Sequence, residues 1–325
     1  MLTRRQTFPA IAAALATPAL TRRAFADSWP SKPIHAIVPF SAGSTADIIP
    51  RIVFDPMSAA LGQTIVVENH GGAGGSVGAA QVARAEPDGY TLLVNASAHT
   101  AAPALYPNLS YDAAKDFSGV AMFGNTPNVT VVAPARGFKT LGDLVAYAKA
   151  HPGVLSFASA GVGSATHLSA ERLRMSAGFQ ATHVPFRGGP EGLTEVMTGR
   201  VDFYCCGISS ALSFIRAKQL IPLAVSTAKR ASLLPDVPTT LELGYKDSDY
   251  NFWTGLLVPS KTPREIVDRL YAEATKALAK PEIAEKLAKQ GVDPFPLTPA
   301  EFDALIRKEI ASNMTLIKAA GIKTN

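Results

Sequence analysis

The chain has 325 residues, 47% of them hydrophobic and 18% charged, the balance of a globular protein long enough for two cores. Its formal charge of +5 sits mostly at the start, where Arg4, Arg5, Arg22 and Arg23 meet no acid. The remainder is close to neutral, which excludes nucleic acid as an expected partner.

Residues 1–26 have the pattern of a secretory signal peptide: a basic start, an apolar stretch from Ala10 to Leu20, and Ala24-Phe-Ala26 as a small-x-small cleavage site. Thr3 to Phe8 also resembles a twin-arginine signal. A membrane-anchoring helix is the weaker alternative, because the apolar stretch is shorter than the ~20 residues a span needs. An exported, soluble protein cut near Ala26 is expected. Cys205 and Cys206 are adjacent, a spacing that disfavours a structural disulfide and suggests free buried thiols. His35, His70, His99, His151, His167 and His183 are scattered, so no metal site is expected.

Strand-like and helical patterns then alternate, as in α/β layers with mostly parallel strands. Ile34–Val38 predicts a buried strand and Ile48 to Leu61 an amphipathic helix, joined by the Gly- and hydroxyl-rich loop Pro39–Asp47. Thr64–Glu68 predicts a second strand, followed by a glycine-rich turn and an Ala-rich helix to Arg84. Tyr90–Val94 predicts a third strand, then loop-like sequence through Pro103 and Pro107, then a strand near Val120–Phe123. Val129–Ala133 suggests a first crossing into a second domain. Leu141–Ala150 predicts a helix, and Leu155–Ala158 a strand leading into the loop Ser159–His167. The helix after it uses Leu168, Leu173 and Met175. Strands at His183–Phe186, Val201–Cys206 and Ile221–Ser226 follow, with a helix at Leu193–Thr198. Phe252–Val258 suggests the return crossing. In the helical tail, Thr262 to Glu265 and Thr298 to Glu301 form capping-box patterns, each with Pro at the first helical position.

Two loops of the same kind stand out. Pro39–Asp47 and Ser159–His167 each follow a strand and open a helix, where bare backbone N–H groups and the helix dipole favour an anion. One loop per lobe, facing across a cleft, would make a two-sided carboxylate clamp, with Arg187 placed to add a bidentate contact. The competing motifs are thinner. Gly71–Gly78 misses the third glycine of a dinucleotide fingerprint and suits a tight turn with close helix packing. No G-x-S-x-G occurs; Gly207 to Ala211 only approximates it, and Ser164 with His167 fits a helix cap better than a nucleophile and base.

Ordered across the mature length, these pieces resemble the Bug (Bordetella uptake gene) receptors of tripartite tricarboxylate transporters. The matching residues include Trp29 to Ile34, Val38-Pro-Phe40 with Gly43 and Asp47, Val66 to Asn69 with Gly72 to Gly75, and Pro87 to Leu92. Further matches are Leu105-Tyr-Pro107, Pro127-Asn-Val129, Ser159 to Gly161 with Gly163 and His167, His183-Val-Pro185, Ser210-Ala211 and Leu234 to Thr239. The resemblance implies a two-lobe periplasmic binding protein of type II, a Venus flytrap with a central ligand cleft and two crossover strands. It implies that both loops hold a ligand carboxylate, partly through ordered waters, and that Cys205–Ser210 helps set specificity. Three departures are notable. Cys206 stands where many relatives carry Asp, so a partner for a ligand amine or hydroxyl is missing, which argues against an amino-acid ligand and for a less polar or aromatic acid. The first loop has Ser41-Ala-Gly-Ser44 instead of a Pro-Gly-Gly type. Pro50 and Pro56 fall within the first helix, where Pro50 is expected to delay its start or kink its first turn.

The expected organisation is therefore a signal peptide at 1–26, a first domain from 27–127 and 254–325, and a second domain at 128–253. The expected ligand contacts are Phe40, Ser41, Ala42, Gly43, Ser44, Thr45, Asp47 and His99, with Ser159, Ala160, Gly163, Ser164, Ala165, Thr166, His167, Arg187 and Cys206. The expected function is a monomeric, non-catalytic periplasmic receptor without cofactor or metal, delivering a small carboxylate to the large and small membrane subunits of the transporter. A secreted α/β hydrolase-like enzyme and an orphan receptor feeding a sensor protein are the alternatives.

Overall fold

The computed structural model describes residues 29–322; the expected leader and its cleavage site near Ala26 lie outside the described residues. Alternation of strands and helices is borne out. In chain order the elements are β1 (Ile34–Val38), α1 (Thr45–Leu61), β2 (Ile65–Asn69), α2 (Ser76–Ala83), β3 (Thr91–Ala96), α3 (Ala98–Leu105) and β4 (Phe117–Val132). There follow α4 (Leu141–Ala150), β5 (Ser156–Ser159), α5 (Ala165–Ala177), β6 (Thr182–Pro185), α6 (Gly189–Met197), β7 (Phe203–Gly207), α7 (Ile208–Arg216) and β8 (Ile221–Val225). The chain ends with β9 (Asn251–Pro259), α8 (Arg264–Leu278), α9 (Pro281–Lys289) and α10 (Pro299–Ala320).

The nine strands pair in the order β2-β1-β3-β9-β4-β7-β5-β6, with β8 also on β4. β1 runs parallel to β2 and β3, and β5 parallel to β6 and β7, as βα crossovers require. The crossing strands are antiparallel to their neighbours. The two strands expected near Val120 and Val129 are one strand of 16 residues. Its first part, as far as Pro127, pairs with β9, and from Asn128 onward it pairs with β7. β8 lies antiparallel along the same second part. This change of partner makes two lobes with a cleft between them.

Each lobe has its own core. Ile34, Val38, Ile49 and Leu270 belong to one apolar cluster of the first lobe, and Leu93, Phe117, Trp253 and Phe302 to another. The second lobe packs Val131, Tyr204 and Leu212 on one side of its sheet and Leu141, Phe157 and Phe203 on the other. A smaller cluster joins the lobes, where Ala101, Leu105 and Ile317 meet Ala165 and Leu168. The glycine-rich turn after β2 does pack closely. A Cβ on Gly78 would lie 2.9 Å from Pro39 Cβ, so the absence of a side chain brings α2 against the end of β1.

Several local expectations are corrected. α1 begins at Thr45, ahead of Pro50, and runs on through Pro56. Proline's φ suits a helix, and the hydrogen bond it denies the carbonyl four residues back is offset by burying Ile49, Val53, Phe54 and Met57. Residues 98–105 form a helix where Pro103 suggests loop, and 208–216 form another beyond Cys206. Met175 is 41% exposed and leaves the packing of α5 to Leu168 and Leu173. The capping box at Thr298 forms, with Oγ1 accepting the Glu301 N–H and Glu301 Oε2 accepting the Thr298 N–H. The one expected at Thr262 does not: Pro263 is the N-cap of α8, without a side-chain cap bond, and Thr262 Oγ1 is buried and unpaired.

The two threonines should therefore behave oppositely. Thr298→Ala is expected to cost about 1 kcal/mol, the usual worth of an N-cap. Thr262→Val, which removes a buried hydroxyl without a partner and keeps the shape, should leave stability unchanged or raise it. Urea midpoints of the two variants check this.

Candidate functional site: a cleft walled by helix N-termini

The first loop is built around Asp47, in the opening turn of α1 and 3% exposed. Its Oδ2 accepts the Gly43 N–H at 2.9 Å. Its Oδ1 accepts from Arg51 Nη2 at 2.8 Å and Asn69 Nδ2 at 2.9 Å, and Asn69 Nδ2 also reaches the Phe40 carbonyl. Burial acts to raise the Asp47 pKa, but the bonds from Arg51, Gly43 and Asn69 outweigh it and hold the carboxyl below its usual range. Gly43, at φ +78°, supplies the left-handed turn. The loop is thus tied from behind, leaving Ser44 as an N-cap whose buried Oγ has no partner. The amides of Thr45 and Ala46, which open α1, have no intrahelical acceptor, and both residues line the cleft; the Asp47 N–H is already taken by the Ser44 carbonyl.

The second loop is tied in the same way by histidines. His167 Nδ1 accepts the Gly163 N–H at 3.0 Å, Thr166 Oγ1 accepts the Ala160 N–H at 2.9 Å, and Ser164 Oγ accepts the His167 N–H at 3.3 Å. His167 stacks on His183 with ring centroids 3.7 Å apart, and His183 Nε2 contacts Ser159 Oγ at 2.6 Å. Burial, then the charge it would share with His183 and Arg174, pushes the His167 pKa down to about 3. Burial alone takes His183 to about 4. Both rings are therefore neutral at ordinary pH, which Nδ1 of His167 requires in order to accept a proton donor.

Between the loops lies a cavity of about 220 Å³. Its wall contains the first residues of α1 (Thr45, Ala46), α3 (Ala98), α5 (Ala165, Thr166), α6 (Gly189, Pro190) and α7, entered through Gly207. It continues outward into a space of about 880 Å³ bounded by Gly71–Gly75, Tyr106 and Phe186. Arg187, exposed at the junction, borders both and is the sole charged side chain among their described lining residues. Thr45 Oγ1 and Ser209 Oγ meet across the cleft at 3.3 Å. Three buried polar atoms of the inner wall lack partners, Ser44 Oγ, Asn128 Nδ2 and Asn128 Oδ1, while the Tyr204 hydroxyl lies beside Thr166. Positive helix ends, one guanidinium and no acid make a site for an anion.

Of the residues expected at the ligand, Phe40, Ser41, Ala42, Gly43, Ser44, Thr45, Ala160, Ser164, Ala165, Thr166, Arg187 and Cys206 line this cavity. Asp47, Ser159, Gly163 and His167 stand behind the wall, holding the loops as described. His99 is farther away, sealed in the first core. Its Nε2 meets the Ala113 carbonyl at 3.0 Å, its ring packs on Phe117, and burial pushes its pKa to about 4. The Ser159–His183 contact is part-buried, and neither residue belongs to the cavity lining. Asn128, Tyr204, Phe252 and Ala98 are wall residues absent from the expected set. They lie in strands and in an unexpected helix, where local sequence carries no loop signal. Cys205 and Cys206 are free and buried on opposite faces of β7, and burial pushes both thiols up, Cys205 to about 12. No group of three or more His, Cys, Asp or Glu among the described residues is placed to hold a metal, and no described helix is long and apolar enough to cross a membrane.

Residues 49–322 match the tripartite tricarboxylate transporter family receptor. The chain belongs to this family. It is 32% identical over 311 residues to the protein BugT of Bordetella pertussis, covering 95% of each. The solved structure of Rpa4515 from R. palustris with adipate superposes with a TM-score of 0.85 at 30% identity, covering 91% of this chain and all of that one. MatC (Rpa3494) from Rhodopseudomonas palustris with bound malate gives 0.82 at 33%, covering 89% of this chain and 100% of that one. The family resemblance inferred from sequence is thus established, and with it the two-lobe fold.

The buried histidines predict a pH dependence. Below pH about 6.5 the unfolded chain takes up a proton on each, whereas folded His99, His167 and His183 resist until about 4 or 3. Their contribution is fully present above pH 6.5 and is lost as pH falls toward 4. Glu309, raised by burial to about 7, works in the opposite sense, as do Asp293 and Asp303, whose carboxyls burial also raises. The melting temperature should fall from pH 6.5 to 4.5, less steeply in His167→Asn, which keeps an acceptor but no titrating ring. Equal slopes in the two proteins would contradict this account of His167.

Proposed function

We propose that this protein captures a small carboxylate in the cleft and delivers it to the large and small membrane subunits of a tripartite transporter. The observation that carries the reading is the meeting of the α1 and α5 N-termini in a cavity bordered by Arg187 and by no acidic side chain. A carboxylate there would accept from the opening amides of both helices, one from each lobe, and so favour the closed arrangement. Relatives of the same fold hold adipate and malate, which supports an acid as cargo. Arg187 would bind the ligand's outer oxygen atoms.

The same reading places the protein in the periplasm as a monomer without catalytic activity, exported by a leader cut near Ala26, with the twin-arginine route favoured by Thr3 to Phe8. It sets the lobes at 27–127 with 254–325 and at 128–253; the change of β4 partner at Asn128 supports that division. Against the hydrolase alternative, Ser164 Oγ is engaged as the cap of α5. Ser159 and His183 are not among the residues that line the cavity. Cys206, held as a neutral thiol, offers no counter-charge to an ammonium group.

Thermal shift with adipate, malate and benzoate tests the proposal. A carboxylate at a hundredfold excess over its dissociation constant should add ~2.7 kcal/mol to stability. No shift with any small acid at millimolar concentration would sink the reading. Arg187→Ala should weaken the best ligand by about tenfold or more, the worth of one charge-assisted hydrogen bond. Cys206→Asp should shift preference toward acids that bear an amine or a hydroxyl; an unchanged ligand profile would deny this wall position a part in selection.

A further inference from the structure

We propose that Asn128 is the specificity-determining residue of the cavity, and that it selects a carboxylate carrying an uncharged hydroxyl over the same acid without one. The inference rests on the carboxylate reading above and deepens it.

Asn128 sits where β4 passes from one lobe to the other, paired with Gly207 of β7. Its carbonyl accepts the Ser226 N–H at 2.9 Å, so its backbone is fixed on the second lobe. The side chain lines the cavity and is 1% exposed, yet neither Nδ2 nor Oδ1 has a partner. Because both atoms are unpaired, the conclusion is the same whichever way the amide is turned. Buried amides in folded proteins are almost always satisfied, so this one is matched to something that enters the cavity.

The chemistry of that partner follows from the donor inventory. Ser44 Oγ, the other unpaired atom of the wall, can donate to a carboxylate oxygen, as can the Tyr204 hydroxyl beside Thr166. Asn128 Nδ2 can do the same. Asn128 Oδ1 can only accept, and a carboxylate has no proton to give it. A ligand that brings an O–H or N–H of its own satisfies Oδ1 directly. An ammonium would enter a wall of positive helix ends and Arg187 without an acid to balance it. A hydroxyl both donates to Oδ1 and accepts from Nδ2 without adding charge. The cargo is accordingly more polar than the loss of Asp at position 206 suggests.

Calorimetry on matched pairs tests this: lactate against propionate, malate against succinate, and mandelate against phenylacetate. In any pair that binds, the wild-type protein should hold the hydroxy acid roughly ten- to a hundredfold more tightly, because its deoxy partner leaves Oδ1 buried and bare. Asn128→Leu, close in volume, should bring that ratio below about twofold, whatever it does to the affinity for the acids as a class. Equal binding of both members by the wild-type protein, as a bridging water at Oδ1 would give, overturns the inference and leaves the carboxylate reading standing. Preference that persists in Asn128→Leu also overturns it. Failure of every pair to bind overturns both. The wild-type ratio decides the matter even where the variant does not fold.

Discussion

One strand belonging to two sheets is the constraint on which the cleft depends. Phe117–Val132 gives its first part to one set of partners and its second part to another, so neither lobe can be assembled without placing the other. Parallel βα units put every helix start at the carboxyl end of a strand. With β4 as the shared member, the loops after β1, β3, β5, β6 and β7 come to border the same space. The positive character of the cavity is thus a result of topology. Only Arg187 is added by side-chain charge.

The acids and histidines near the cleft serve its walls. Asp47 is spent on Gly43, Arg51 and Asn69, and His167 on Gly163. Each converts a mobile type of sequence, rich in Gly, Ser and Ala, into a loop with fixed donors. The strategy differs between lobes in its electrostatics. An ionised carboxylate anchors the first loop and a neutral imidazole the second. Preorganised amides lose little when an anion arrives, which is the general advantage of fixed dipoles over adaptable charges.

Much of this was legible in the chain because the loops announce themselves. Ser41 to Thr45 and Ser159 to Thr166 combine small and hydroxyl residues between a strand pattern and a helix pattern, and twelve of the residues expected at the ligand do line the cavity. What failed was direction. Asp47 and His167 have the right chemistry to touch a ligand, but periodicity cannot say on which side of a loop a side chain points. Asn128 stood in the Pro127-Asn-Val129 match without a role: in a buried strand an asparagine has no local signature of ligand contact, and the register of β4 against Gly207 places it at the cavity. Prolines misled twice. Pro103 masked a helix and Pro50 suggested a disturbed one, because burial of an apolar face outweighs one missing N–H.

The apolar cluster that joins Ala101 and Leu105 to Ala165 and Leu168 has a thermal consequence. Attraction between such surfaces fades on cooling, whereas the pull of helix ends on an anion does not share that origin. The share of lobe-to-lobe cohesion supplied by oily contact is therefore largest in the warm protein. In the cold, the two halves are left to depend more on whatever charge lies between them.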